Sequence, residues 1–285
     1  MNQPDYFDIH THLNFTAFDE DRGEVIDRAL EAGVWFNNVG TQQDTSRQAV
    51  EIAESRPEGV YATVGLHPIH TTASFHDEQE LGAGGTEFTS RGEEIDTEYY
   101  RRLAQHEKVV AIGETGLDYF HLDEEATRSA QKQAFEAQIA LAHSLEKPLM
   151  LHIRNGKNGE DAYGEVLDIL EHTPHSGGNA HFFAGDRDQI RRFLEQGFCI
   201  SFTGVVTFTE DYNELVRYVP LDRLMAETDA PFVAPKGRRG RRNEPLLVRE
   251  IAEQIVKLRP EPDAEVRSAL VENACRLFSS AFLLN

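Results

Sequence analysis

The run YFDIH is followed at once by Thr11 and His12, so His10 and His12 stand two residues apart at the end of a β-rich stretch. Side chains at i and i+2 of a strand leave the same face, and both imidazoles can therefore aim at one point. Four later β-rich runs end in residues of the same chemistry: Glu114 in KVVAIGE, His152 in PLMLHI, His181 in GNAHFF and Asp229 in RLMAETD. An anionic Glu114 behind VVAIG would be costly to bury without cations or donors around it. A lone strand-end histidine is as readily a satisfied core residue as a ligand. Four imidazoles and two carboxylates at corresponding strand ends lack that excuse as a set. They form a nitrogen and oxygen donor set suited to divalent ions of the Zn, Mn or Co type. Six ligands exceed what one tetrahedral ion needs, and a bridging Glu114 lets them serve two.

Other residues carry weaker signals. His67, in GLHP, can meet a substrate or simply cap the turn before Pro68. Arg154 shares its strand face with His152 and suits an anionic oxygen, or else pairs with a local carboxylate. Glu227, two residues before Asp229, is placed to orient a ligand from behind. His70, His76, His106, His121, His143, His172 and His175 fall in loops or helices, where solvated or capping roles are the default.

Something must hold the strand ends together. Strand candidates lie at 6–10, 35–41, 60–66, 108–114, 148–153, 178–183, 199–204 and 223–229, and amphipathic helical patterns separate them. Two more helices follow, from EPLLVREIAEQIVKL and near 263–282. Eight β–α repeats in 285 residues predict an α/β fold, a (β/α)₈ TIM barrel, as a single domain over 1–285. A doubly wound open sheet is the runner-up; it would ordinarily carry a Gly-rich loop after its first strand, and HTHLNF is not one. The polar, Gly-rich stretch 76–94 reads as a long βα loop rather than a domain boundary. Active sites of such barrels lie at the C-terminal ends of the strands, where the six donors fall.

Composition narrows the setting. Charged residues are 27% and hydrophobic ones 40% of the chain, as in globular proteins. No apolar run is long enough to span a membrane, and the first residues lack the pattern of an export signal. The two cysteines, Cys199 and Cys275, form no framework and read as small apolar residues. A cytoplasmic protein is expected. The net charge is −21, with 49 acidic against 28 basic residues, of which 6 are lysine. An acid-rich, lysine-poor surface suits a salt-rich cytoplasm, and stability that rises with KCl into the molar range is the expected consequence. Against this background KGRRGRR (236–242) puts five cations in seven residues.

FDIHTHL, GLHP, IGETGLDY, LHIR, HFFAG, SFTGVVTF, ETDAPFVAP and RNEP occur in the order and approximate spacing of the TatD family, and the chain resembles that family of metal-dependent hydrolases of the amidohydrolase superfamily from Tyr6 to about Phe278. The resemblance implies a (β/α)₈ barrel with two divalent ions, Mg²⁺ or Mn²⁺ for activity with Zn²⁺ possible, and DNase activity, notably 3′→5′ exonuclease. It implies that His10, His12, Glu114 and Asp229 hold one ion, and that Glu114 bridges to a second held by His152 and His181. The substrate is then DNA, as single strands or 3′ ends. On this reading a water between the ions, with its pKa lowered toward ~7, attacks phosphorus. Asp229 takes the proton, and His67, Arg154 and Arg239 contact the substrate. Two rival readings stay open: an amidase, deacylase or lactonase using the same metals, and a non-catalytic binding protein on a decayed barrel. Where relatives often carry His-Cys-Phe, this chain has His181-Phe182-Phe183; where an Asp commonly follows HxR, it has Asn155; and the loop at 76–94 is longer. Arg239-Gly240 and Asn243-x-Pro245 match a family segment, with Asn243 and Pro245 expected to start the next helix. Lys236, Arg238, Arg241 and Arg242 are surplus to it and are expected to contact flanking phosphates.

Overall fold

In the computed structural model, which describes residues 3–76, 88–121 and 125–278, eight parallel strands run round a barrel. They are β1 (Tyr6–Thr11), β2 (Val34–Val39), β3 (Val60–Val64), β6 (Val109–Asp118), β7 (Leu149–Arg154), β8 (Gly178–Ala180), β9 (Phe198–Phe202) and β10 (Leu224–Ala226), each paired with the next. The last strand returns to the first. Asp229 N–H donates to the His10 carbonyl (2.9 Å), His12 N–H donates to the Ala230 carbonyl (2.7 Å), and Thr11 bridges Ala230 in parallel. These bonds across the seam exclude the doubly wound open sheet.

Around the strands lie α1 (Arg22–Glu31), α2 (Gln43–Glu54), α3 (Thr97–Ala104), α4 (Glu125–Ser144), α5 (Ala162–His172), α6 (Arg187–Glu195), α7 (Asn213–Tyr218), α8 (Val248–Leu258) and α9 (Asp263–Leu277). The strands are apolar where they meet these helices, as expected of parallel strands covered by a helical layer. On α8, Val248, Ile251, Ala252, Ile255 and Val256 are buried, the i, i+3, i+4, i+7, i+8 spacing of one helix face. Each branched side chain there stabilises the fold by ~1.5–3 kcal/mol; Ile251→Ala would remove ~2–5 kcal/mol by opening a cavity.

A separate apolar cluster fills the lower end of the barrel. Phe7, Ile9, Tyr61, Val110, Met150, Cys199 and Met225 pack against Ala274 and Phe278 at the end of α9. Cys199 is a buried packing residue here, and Cys275 packs half-buried at the edge of the cluster. With the floor apolar, polar groups collect above it. Asn37 Nδ2 donates to Thr63 Oγ1 (2.8 Å) and to the Ile9 carbonyl (3.1 Å).

Three expectations about the elements change. The strand expected at 108–114 runs on to Asp118, so Glu114 lies within it rather than at its end. The strands expected through 183 and 229 stop at Ala180 and Ala226, which puts His181 and Asp229 just beyond them. The stretch 76–94 is not wholly loop: β4 (Ala73–His76) pairs antiparallel with β5 (Phe88–Arg91), and residues 77–87 lie outside the described ones. Among the described residues no helix is long and apolar enough to cross a membrane.

Candidate metal centre

Glu114 stands at the centre of the barrel mouth. Its approach depends on an irregularity in β6, whose pairing with β7 slips between Ile112 and Thr115. Glycines flank the slip. Gly113 (φ +153°) and Gly116 (φ +142°) are in a region L side chains rarely adopt, and added Cβ atoms would meet the Met150 carbonyl oxygen at 2.5 Å and the His152 carbonyl oxygen at 2.0 Å. Both glycines are therefore needed for β6 to run this close to β7 while turning Glu114 inward.

Five histidines face the two carboxylate oxygens. Oε2 lies 3.4 Å from His10 Nε2 and 3.6 Å from His12 Nε2; Oε1 lies 2.9 Å from His152 Nδ1, 3.4 Å from His181 Nε2 and 3.4 Å from His67 Nε2. Asp229 Oδ1 sits 3.4 Å from His12 Nε2 and 3.9 Å from His10 Nε2. The structure thus brings together all six expected donors, with His67 among them. His10 stacks on His181 with ring centres 3.7 Å apart.

Tautomers sort the ligands. His12 Nδ1 donates to the Val39 carbonyl (2.8 Å), His181 Nδ1 to Glu227 Oε2 (3.2 Å), and His152 Nε2 to Asp118 Oδ2 (2.9 Å). Each of these rings has one nitrogen fixed on an oxygen acceptor and the other turned toward Glu114, the arrangement in which a metal-binding histidine is held. His67 is different. Its Nδ1 accepts from Ile69 N–H (3.2 Å), so the neutral ring carries its proton on Nε2 and offers a donor, not a lone pair, to the mouth. Among the described residues His10 Nδ1 is buried without a hydrogen-bond partner, while its Nε2 lies 3.1 Å from His12 Nε2. Two such nitrogens this close fit a shared cation, since ligands ~2.0–2.2 Å from one ion stand ~3.0–3.5 Å apart. Ligand atoms come close enough together to hold a divalent ion in three overlapping groups: His10, His12 and Glu114; His10, His181 and Asp229; and Glu114 and His152 with the proton-bearing His67.

The electrostatics follow from crowding. Burial would raise Glu114, but His67, His10 and His152 hold it well below the usual carboxylate range. Burial would likewise raise Asp229, and the His12 hydrogen bond with His181 and His10 keeps it low. Burial would lower His152 and His181. The Asp118 and Glu114 bonds instead lift His152 to about 9, and Glu227 with Glu114 lifts His181 to about 9. His67 falls to about 4, through burial and the neighbouring His152. Without metal, protonated His152 and His181 offset part of the negative charge of the buried carboxylates.

Several residues at this site were not singled out from sequence. Asp118, fully buried, joins His152 to His121, and Asp8 accepts from Thr228 N–H (2.8 Å) and His10 N–H (3.3 Å) beside the seam. Burial pushes Asp8 well above the ordinary range despite the Thr228 bonds. Asp118 lies four residues after Glu114 on the same strand, a spacing that would have marked it had β6 been read to its full length. His121, expected in a solvated or capping role, instead bonds Asp118 Oδ2 at 2.8 Å. Asp229 (φ +55°) and Phe182 (φ +42°) are non-glycine residues in the left-handed region, a cost tolerated where the surroundings fix the backbone. Phe182 N–H donates to Glu227 Oε1 (2.6 Å).

Five phenylalanines ring the mouth. Phe15, Phe120, Phe182, Phe208 and Phe232 are half-buried and lie on βα loops, whereas nine others, from Phe7 to Phe278, are fully buried. Phe15 stacks on His12 at 4.5 Å, and cations cover two of the rest: Arg154 (3.8 Å) and Lys157 (4.4 Å) over Phe120, Arg239 (4.6 Å) over Phe208. Arg239 is therefore on the rim and not in the cluster. The surplus cations of 236–242 do not act alike. Arg242 donates to Asp21 (2.5 and 2.7 Å) and to the Ala17 carbonyl (2.6 Å), and its role is to tie the loop to the β1 side. Arg238 lies 3.8 Å from Glu250, while Lys236 and Arg241 form no ion pair among the described residues. Asn243 does not start a helix. It is buried and donates to the Thr228 (2.9 Å) and Phe232 (2.7 Å) carbonyls, which pins the loop to the strand end.

The chain is 38% identical over 277 residues to the uncharacterised metal-dependent hydrolase YabD of Bacillus subtilis, with 95% of this chain and 98% of that one covered. It is 34% identical over 285 residues to a 3′-5′ ssDNA/RNA exonuclease TatD of Pantoea vagans, covering 96% and 100%. Among solved structures it is similar to YJJV, a TatD homologue of Escherichia coli, with a TM-score of 0.81, 26% identity and coverage of 96% and 98%. The family profile described as TatD related DNase matches residues 7–279. With the barrel, the histidine and carboxylate cluster and this match over nearly the whole chain, the protein is a metal-dependent hydrolase of the TatD family.

Proposed function

We propose that the protein is a nuclease that hydrolyses phosphodiester bonds of single-stranded DNA from its 3′ end. The observation that carries this reading is the rim. On the βα loops that carry the half-buried phenylalanines, Arg154 and Lys157 lie over Phe120 and Arg239 lies over Phe208. Aromatic faces beside cations suit a strand whose bases stack and whose phosphates are anionic; an acyl-amide or lactone substrate would make little use of either.

Divalent ions, Mg²⁺ or Mn²⁺, held by His10, His12, Glu114 and Asp229 and by Glu114, His152 and His181 would supply Lewis acidity and a water acidic enough to ionise near neutral pH. The chain's own groups do the rest. His67 presents its Nε2 proton to a phosphoryl oxygen, and the Arg154 guanidinium, held over Phe120, takes a second. Asp229, at 8% the more exposed of the two carboxylates in the cluster, accepts the proton of the attacking water. A new P–O bond forms as the bond to the leaving sugar oxygen breaks, and solvent protonates that oxygen. The buried surroundings of Glu114 exclude bulk water from the cluster. The same reading takes 1–285 as one catalytic unit working in the cytoplasm, where Cys199 and Cys275 stay reduced.

The test is product length from 5′-labelled single-stranded DNA and RNA, with and without Mg²⁺ or Mn²⁺, beside acyl-amide and lactone panels. A metal-dependent ladder of products shortened stepwise from the 3′ end supports the reading. Cleavage confined to the acyl panels, or full-rate cleavage after metal removal, overturns it.

A further inference from the structure

Asp118 accepts four N–H groups. Oδ1 receives the backbone N–H of Phe120 and of His121, each at 3.0 Å, and Oδ2 receives His121 Nδ1 (2.8 Å) and His152 Nε2 (2.9 Å). The proton positions follow from the partners. Arg154 Nη1 lies 3.4 Å from His121 Nε2, and a guanidinium only donates. His121 Nε2 is therefore the acceptor of that contact, and its proton sits on Nδ1, facing Asp118. His152 likewise gives its Nε2 proton to Asp118 and turns Nδ1 to Glu114, 2.9 Å away.

The hub itself is anchored. Gln131 of α4 is buried, accepts from Asp118 N–H (2.8 Å) and donates to the Asp118 carbonyl (2.9 Å). A residue that only closed the turn at 118–121 would use Oδ1 alone. Here the second oxygen is spent on two side-chain rings, one of the metal cluster and one of the rim.

We propose that Asp118 and His121 are a positioning pair that ties the metal side of the site to its substrate side. Asp118 fixes the ring of His152 so that Nδ1 faces the ions. Through His121 the same carboxylate holds the Arg154 guanidinium flat against Phe120. Neither residue touches the reacting atoms; both act through others, and a disturbance of Asp118 is felt on both sides whereas one of His121 is felt on the substrate side. The pair goes beyond the nuclease reading, because its effect on metal does not depend on the substrate.

Two variants and one spectrum test the pair. Mn²⁺ affinity and inorganic phosphate affinity of the metal-loaded protein are measured by calorimetry for wild type, Asp118→Asn and His121→Ala. Asp118→Asn should weaken Mn²⁺ binding by ~10–100-fold, the usual effect of losing an acceptor behind a metal-bound histidine, and phosphate binding with it. His121→Ala should leave Mn²⁺ affinity near wild type and weaken phosphate by roughly 10-fold, the scale of one charge-assisted contact. ¹⁵N spectra of the wild type loaded with diamagnetic Mg²⁺ should show His152 protonated at Nε2 alone and His121 at Nδ1. Folded Asp118→Asn with wild-type Mn²⁺ affinity overturns the proposal. So does His121→Ala with a metal defect equal to that of Asp118→Asn, or His121 protonated at Nε2 alone. If Asp118→Asn does not fold, His121→Ala and the spectra decide. Phosphate that binds to none of the proteins counts against the phosphodiester reading, and the metal and spectral results still judge the pair.

Discussion

Stripped of metal, the protein should be most stable near pH 6.5 and lose stability on both sides. The alkaline arm comes from His152 and His181, each raised from 6.5 to about 9 by the carboxylates beside it. A raised base contributes its full stabilisation below the unfolded value and loses it as pH rises through the folded one, so the loss runs from 6.5 to about 9. Each pH unit of difference corresponds to ~1.4 kcal/mol, giving ~3 kcal/mol for one histidine. The two share Glu114 Oε1, at 2.9 and 3.4 Å, and so do not add in full; ~3 kcal/mol is the working figure for the pair. In a chain of this size that lowers Tm by ~6 °C. The acid arm comes from His67, lowered to about 4, and from His10, also lowered, both chiefly by burial. Their unfolded forms take up protons first, so stability falls from 6.5 toward 4. Melting followed by circular dichroism in chelator from pH 4.5 to 9.5 measures both arms, with His152→Gln expected to flatten the alkaline one. Saturating Mn²⁺ should abolish the alkaline fall, because the ion replaces the protons. A metal-free Tm that is level or rising between pH 6.5 and 9 would refute the assignment of protonated His152 and His181. An unchanged alkaline slope in His152→Gln would refute it as well.

Three further outcomes are expected. Glu114→Gln, which removes the charge all five histidines face, should lower kcat/KM by at least ~100-fold and weaken Mn²⁺ binding in calorimetry, since it alters a ligand itself rather than a group behind one. Lys236→Ala with Arg241→Ala should flatten the salt dependence of DNA binding in a fluorescence titration without moving Tm, whereas Arg242→Ala should cost ~1 kcal/mol of stability in urea unfolding and leave the salt slope nearly unchanged. Phe120→Ala should raise KM for an oligonucleotide by roughly 10-fold, as expected for one lost stacking platform, with Mn²⁺ affinity intact; an unaltered KM would remove Phe120 from the strand's path.

The donors were readable in sequence because their geometry is nearly local. His10 and His12 share a face through strand alternation alone, and Glu114, His152, His181 and Asp229 each follow a β-rich run in a chain with barrel periodicity. What escaped were effects that depend on register and on distant partners. The slip in β6 carries the strand past Glu114 to Asp118, and in IGETGLDY only Gly113 and Gly116 mark where it falls. His121 looked like a loop histidine because its local partner Asp118 had not been read as part of the site, and Arg154 meets it only once β6 and β7 are paired. The basic loop read as one patch, since charge in sequence does not reveal which arginine is spent on Asp21. Asn243 looked like a helix cap and instead spans the gap between Thr228 and Phe232, a contact set by the fold of the loop as a whole.

The bonds that close the barrel are made by the backbone of His10, His12, Asp229 and Ala230. During synthesis the first two of these leave the ribosome long before the last two. At ~5–20 residues per second, the roughly 220 residues between them take ~10–40 s to appear. For that interval the nascent chain has its first pair of imidazoles but neither the seam nor the Asp229 carboxylate. Capture of a cation by the full set must therefore wait until translation has passed residue 230, and a product truncated before that point would carry an open edge and an incomplete donor set.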